Sequence, residues 1–451
     1  MRKLPAIIII LALAALCAVG LLRKGPAQKQ PPAKATASLP AIALSTPLQV
    51  VLTPLGGKDK VDQDIAKLQA RIKTTPAQAP ALLERLGWTF VEKARISSDP
   101  GYYKLAEQCA DAIAAKVPES ADAELLRGHI YHALHRFKEA ESVAQKLIAQ
   151  RTFVFDYALL GDALMEQGRL NEAVNAYQKM VDLKPCLQTY SRVAYMRWLK
   201  GDLPGAIQAI RYAVSAGSTL EPEPVAWAYT RLAFYELQAG HFDLAQRATE
   251  LATEYVPDYA AALLMRGRIL LAEEKTAAAV AFLRPAAEKS PLPEYLWTLA
   301  DALRANGEAE QASAVETKLR ATGAANDPRT YALFLASRGD QLDLALRLAK
   351  EEMENRQDIF TRDAIAWTAF AQGDLKTAQD NMEAALSEGT RDGRLFYHAG
   401  LIAAASSHAA QAETYLRQAK TLEQTLLPSE RKTLELRLAL LPRSTSQISS
   451  R

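Results

Sequence analysis

From about residue 80 the chain places apolar and polar residues with helical rather than strand spacing, and the pattern recurs. Ala106, Ala140, Ala173, Ala206, Ala245, Ala279, Ala312, Ala345, Ala378 and Ala412 stand 34, 33, 33, 39, 34, 33, 33, 33 and 34 residues apart. Gly168, Gly201, Gly240, Gly307 and Gly373 each lie five residues before one of these alanines. Gly128, Gly161, Gly267 and Gly400 lie twelve before, and Pro118, Pro185, Pro257 and Pro291 twelve after. Let the recurring alanine be position 20. Positions 4, 7, 8 and 11 then form an apolar stripe, as in Tyr157, Leu160, Gly161 and Leu164. At about 100° per residue these share one arc of a helix.

Position 15 is a turn, where glycine takes left-handed backbone at little cost. Position 20 must be small so that a second helix can approach the first closely. Position 32 is proline because the helix has ended. Each unit reads as a helix-turn-helix hairpin that hides its apolar face only by stacking on its neighbours. This resembles the tetratricopeptide repeat, whose signature runs Trp-x2-Leu-Gly-x2-Tyr, then Ala, a large apolar residue and Pro. Tyr157 to Leu164, followed by Gly168, Ala173, Tyr177 and Pro185, fits it closely. The resemblance implies an all-α fold, a right-handed α-solenoid of about ten hairpins over residues 80–427. Departures are a longer turn in the first unit (Ile96 to Tyr103), an insertion through Pro224, irregularity near Gly339, and Pro285 inside a second helix, where it should kink the chain.

Capping helices are expected at both ends, over 61–79 and 428–442, the latter with Ser429 as N-cap after Pro428. The Ser-rich residues 443–451 read as a disordered tail. At the other end, Arg2 and Lys3 precede nineteen apolar positions from Leu4 to Leu22, followed by Arg23 and Lys24. As a helix that run spans close to the ~30 Å hydrocarbon thickness of a bilayer. Residues 1–24 are thus expected to be a transmembrane anchor or a cleaved signal helix. The repeat body would then be exported, periplasmic or extracellular, and a cleaved secreted form is the variant reading. Residues 25–60 hold six prolines and read as a Pro-rich basic linker.

Charge changes little. The net charge is +3, and Arg23 to Lys60 carries six basic residues against Asp59 alone, so the rest is nearly balanced. That argues against a nucleic-acid surface. The three cysteines, Cys17, Cys109 and Cys186, form no framework, and both body thiols are expected to be free. No phosphate-binding loop, His-Glu-x-x-His, Gly-x-Ser-x-Gly or Cys-x-x-Cys occurs. Neither an enzyme, a cofactor nor a small-molecule substrate is indicated. His129, His132 and His135 are spaced so that His129 and His132 could share a metal, but they fan over about 120° and lack a fourth ligand. A solvated helix end is the plainer reading.

The tryptophans are more informative. Positions 2, 5, 9 and 12 of the first helix form a second face, clear of the core stripe, and all five Trp occupy it: Trp88, Trp198, Trp227, Trp297 and Trp367. Phe155, Tyr195, Phe234, Phe360, Phe370 and Tyr397 join them. In proteins the chain resembles, this face lines a concave groove for peptides, and aromatic anchors bury much area at small entropic cost. Asp162, Glu166, Arg268, Arg304 and Asp363 would supply polar contacts. The resemblance implies a scaffold or chaperone-like adaptor for envelope protein assembly, gripping a peptide segment of partner proteins. The alternatives are a structural subunit of a membrane complex using another surface, and packing of these rings between neighbouring first helices.

Overall fold

A computed structural model describes residues 46–441. The apolar run, the first part of the Pro-rich stretch and the Ser-rich tail lie outside them. Among the described residues every regular element is helical, and no helix is long and apolar enough to cross a membrane. The helices pair into ten consecutive hairpins. The first joins Ala79–Ser97 to Gly101–Ala114, the third Val154–Glu166 to Leu170–Leu183, and the tenth Gly393–Ala405 to Ala409–Lys420.

The physics of the repeat is visible at each marked position. All ten recurring alanines are buried, where a longer side chain would force the paired helices apart. The five turn glycines have φ between +74° and +85°. His135, Glu274 and Ser407 take the same left-handed conformation at the equivalent place without the freedom of glycine. The irregular eighth turn uses two such residues, Gly339 and Gln341. Pro285 lies within the second helix of the sixth hairpin, Thr276–Lys289. The long turn of the first unit is short in fact, because its first helix runs on to Ser97 and leaves Ser98 to Pro100 to connect.

The ends differ from expectation in detail. Part of the stretch read as linker is packed: Pro47–Val51 is a short capped helix, Val51 is buried, and Gln69 donates to the carbonyls of Val51 (2.7 Å) and Thr53 (2.9 Å). The helix Lys60–Thr74 follows, with Asp59 as N-cap. Lys93 in the first hairpin ties it down through Asp59 at 2.6 Å and Asp62 at 2.8 Å. At the C-terminal end the helix is Pro428–Ala439, and Ser429 does not cap it. Leu427 stands at the N-cap, its N–H donating to Glu430 (2.8 Å), while the Ser429 N–H donates to Asp301 (2.9 Å).

Contacts of great sequence separation define the winding. Ser98 meets Ser290, 192 residues on; Lys200 pairs with Glu388, 188 on; Thr390 donates to the Leu199 carbonyl over 191; Gln424 donates to the Gln238 carbonyl over 186. About 190 residues is between five and six hairpins. After that distance the array returns against itself, so first-helix turns of one superhelical turn rest on inter-hairpin loops of the next. The close approach is why two turns need glycine. A Cβ on Gly168 would stand 2.6 Å from the Gln357 carbonyl oxygen, and one on Gly201 2.6 Å from that of Gly389.

Candidate functional site

The aromatic face is where the winding has its largest consequence. Trp198, Trp297 and Trp367 are buried. Trp198 stacks on Phe360 of the ninth hairpin (5.9 Å between centroids, 12°), is flanked by Tyr195 and Phe234, and donates its indole N–H to Gln238 at 2.6 Å. Trp367 stacks on His398 at 3.9 Å, beside Phe370 and Tyr397, and donates to Ser337 (2.9 Å). Trp297 lies against Phe334, with the Arg394 guanidinium 5.0 Å from its ring. Trp88, half-buried, tilts onto His129 at 5.2 Å, and Phe155 meets Phe153 edge-on at 5.4 Å. Trp227 alone of the five tryptophans is open, at 39% exposure. These rings therefore pack between neighbouring hairpins and across the winding, the plainer of the two readings of this face.

The polar residues of that face are also engaged by the protein itself. Asp162 takes both the Arg192 guanidinium (2.5 Å) and the Tyr177 hydroxyl (2.8 Å). Burial opposes ionisation of Asp162, but Arg192 outweighs it and holds the carboxyl below its usual range. Glu166 pairs with Arg356 (2.6 Å), Arg268 with Glu294 (3.0 Å), Arg304 with Glu316, and Asp363 with the His398 Nδ1 (2.7 Å).

Sequence reasoning missed the seam between superhelical turns. Arg356 lies within reach of Glu166 and Glu352, its guanidinium 5.3 Å from the Phe137 ring and 3.4 Å from the His135 Nε2. The Gln357 N–H donates to the Glu166 carbonyl at 2.9 Å. Arg329 pairs with Asp358 (2.8 Å), whose carboxyl burial would raise; Arg329 and Arg356 outweigh that and keep it below its usual range. A cleft of about 210 Å³ remains in the seam, lined by Met165, Tyr195, Leu199, Ile359, Phe360 and Arg362. Nothing in a 34-residue period announces partners some 190 residues apart. The trace it left was glycine at 168 and 201, which the turn itself already explained.

The histidines fall apart as a ligand set. His132 and His135 both lie against the Phe137 ring, at 5.3 and 5.5 Å, while His129 faces Trp88. Burial, followed by the Arg95 charge, lowers His129 to about 3; burial, followed by Arg356, lowers His135 to about 4. Among the described residues no group of three or more His, Cys, Asp and Glu is placed to hold a metal ion. Cys109 and Cys186 are free thiols.

The outward surface offers what the inner one does not. Tyr212, on the second helix of the fourth hairpin (Leu203–Ser215), is 52% exposed and tilts onto Tyr190 at 5.5 Å. A shallow cleft beside it is lined by Arg197, Asp202, Pro204, Ile207 and Arg211. Leu220, in the inserted loop before the fifth hairpin, is 88% exposed. Phe153, Val174, Leu183 and Leu244 add further exposed apolar side chains in the third to fifth hairpins.

Residues 159–221 and 230–292 match the tetratricopeptide repeat family. No curated protein matches. Among solved structures, the chain is similar to MamA (22% identity, 36% of this chain and 94% of that one, TM-score 0.30). It is also similar to the APC/C hetero-tetramer Cut9-Hcn1 (14%, 84% and 86%, 0.42) and to pilF of Pseudomonas aeruginosa (16%, 48% and 97%, 0.38). The matched segments run from the third hairpin through the sixth, the same period runs from the first hairpin to the tenth, and the chain carries tetratricopeptide repeats.

Proposed function

We propose that this protein is a membrane-tethered scaffold on which partner proteins dock through the outward apolar side chains of its third to fifth hairpins. The tetratricopeptide fold is one of protein–protein interaction. The observation that carries the choice of surface is the exposure of Tyr212 and Leu220 in a chain whose inner aromatic and polar residues are largely spent on its own packing. Exposed apolar groups clustered along one stretch are what a partner would cover. The apolar run from Leu4 to Leu22 supports the tether, and with it an exported repeat body that acts in envelope protein assembly.

A second reading keeps the peptide groove, and Trp227 favours it, because that ring is still open on the inner face. Crosslinked co-purification from native membranes separates the two. A Tyr212→Ser/Leu220→Ser chain is expected to lose its captured partner while unfolding at an unchanged temperature, and Trp227→Ala to retain it. The reverse pattern favours the groove, and unchanged capture by both variants overturns both surfaces. A reporter fused to the C-terminus reads export directly.

A further inference from the structure

The C-terminal helix does not simply cover the last hairpin. In repeat register Leu271 is position 12 of the sixth hairpin, Asp301 position 9 and Trp297 position 5 of the seventh: all belong to the face where a peptide was expected. The C-terminal segment lies there instead. Arg431 donates to the Leu271 carbonyl, the Ser429 N–H to Asp301 (2.9 Å), and Gln424 to the Gln238 carbonyl (2.8 Å). Leu434 is buried in the same apolar cluster as Leu271, Trp297 and Leu303. Arg394, which covers the Trp297 ring, pairs with Glu430 at 2.9 Å.

We propose that Pro428–Ala439 is a displaceable strap occupying a latent helix-binding site on the inner face of the sixth and seventh hairpins. The ligand that replaces it is an amphipathic helix of the same chemistry: one leucine for the apolar cluster, an N-terminal N–H for Asp301, and a basic side chain for the open carbonyl.

Three observations make the strap displaceable rather than integral. It buries only Glu430 and Leu434 of its twelve residues, whereas the helix Lys60–Thr74 at the other end buries five of fifteen. An element with few buried contacts opens at the smallest free-energy cost. Its departure takes Glu430 from Arg394, which still has the Asp392 and Glu294 charges near it, and orphans little else. Asp301 keeps Arg338 at 3.5 Å, and the Leu271 and Gln238 carbonyls sit at helix ends, where water replaces a lost donor. Finally, Leu436 in the strap and Leu440 at its C-cap, four residues apart, are 60% and 77% exposed, so apolar side chains stand on its outer side as well. That face gives a partner something to pull on.

The test uses the full chain and a fluorescent peptide with the sequence of residues 422–441. Leu434→Ala weakens the strap from within. The peptide is expected to bind this variant at least tenfold more tightly than the wild type, because the resident helix competes less well. A peptide carrying Leu434→Asp is expected not to bind, a control that leaves the protein's own folding untouched. Hydrogen exchange at 428–439 is expected to be faster than in the hairpins already in the wild type, and faster still in the variant. Equal binding to both proteins, no binding to the opened variant, or exchange of 428–439 only with unfolding of the whole chain would each overturn the proposal. The Tyr212→Ser/Leu220→Ser chain should respond to the peptide as wild type does, which keeps this outcome separate from that of the outward docking surface.

Discussion

The third to fifth hairpins and the seventh to tenth share the helix-turn-helix unit and its buried alanine, yet they differ in what they expose. Between Phe153 and Leu244 seven large apolar side chains are exposed, and among the described residues from 283 to 435 there are none. The repeat therefore fixes how hairpins stack and leaves their outward positions free. The inner face shows the converse. Tryptophans that look like ligand anchors in a single hairpin become internal packing once the array has wound back upon itself.

Trp198 and Trp227 give that contrast its largest effect. Trp198→Ala removes a buried ring that stacks across the winding and strands Gln238, and is expected to cost about 3–5 kcal/mol in denaturant unfolding. Trp227→Ala, at a partly open position, should cost well under half as much. Equal losses would mean that the inner face is packed uniformly.

Two glycine turns sharpen it next. Gly168 and Gly307 have similar left-handed backbone, φ +74° and +82°, so alanine at either carries the same penalty of roughly 1–2 kcal/mol. Only Gly168 faces another part of the chain, the Gln357 carbonyl; at Gly307 there is open space. Gly168→Ala is expected to be the more destabilising by at least about 1 kcal/mol, as overpacking dictates. Matching effects at the two sites would argue that the seam yields freely.

Acid should act in two windows. His129 and His135, lowered to about 3 and 4 from an ordinary 6.5, stay neutral in the folded protein while the unfolded chain takes up protons. Their contribution is full above pH 6.5 and is lost as pH falls from there towards 4 for His135 and 3 for His129. Asp162 and Asp358 are held below the ordinary 3.8, so their contribution is present above that pH and lost below it. His129→Gln with His135→Asn should flatten the upper window alone, as read from denaturation midpoints at pH 7, 5 and 3.5. The smallest effect on stability belongs to Tyr212→Ser/Leu220→Ser, within about 0.5 kcal/mol, although the same change should abolish partner capture.

How much of this was legible in the sequence follows from range. Ala206, Gly240 and Tyr190 are governed by neighbours within one hairpin, and a 33- or 34-residue period displays them plainly. What covers Trp198, Phe360, lies more than four units later, and no periodicity encodes that distance. The pairing of Glu166 with Arg356 was hidden for the same reason: each residue looks available until its partner, 190 residues on, is brought to it. The exposed Leu220 sits in an insertion, where the repeat offers no expectation at all.

The self-closure of the array is tested most directly by placing cysteines at Lys200 and Glu388, 188 residues apart in sequence and paired in the structure, in a Cys186→Ser background. A short bifunctional thiol reagent should join them within one molecule, rapidly and nearly completely, under conditions where the protein is folded. Failure to form that intramolecular link, with both thiols shown to be reactive, would contradict a winding of five to six hairpins per turn.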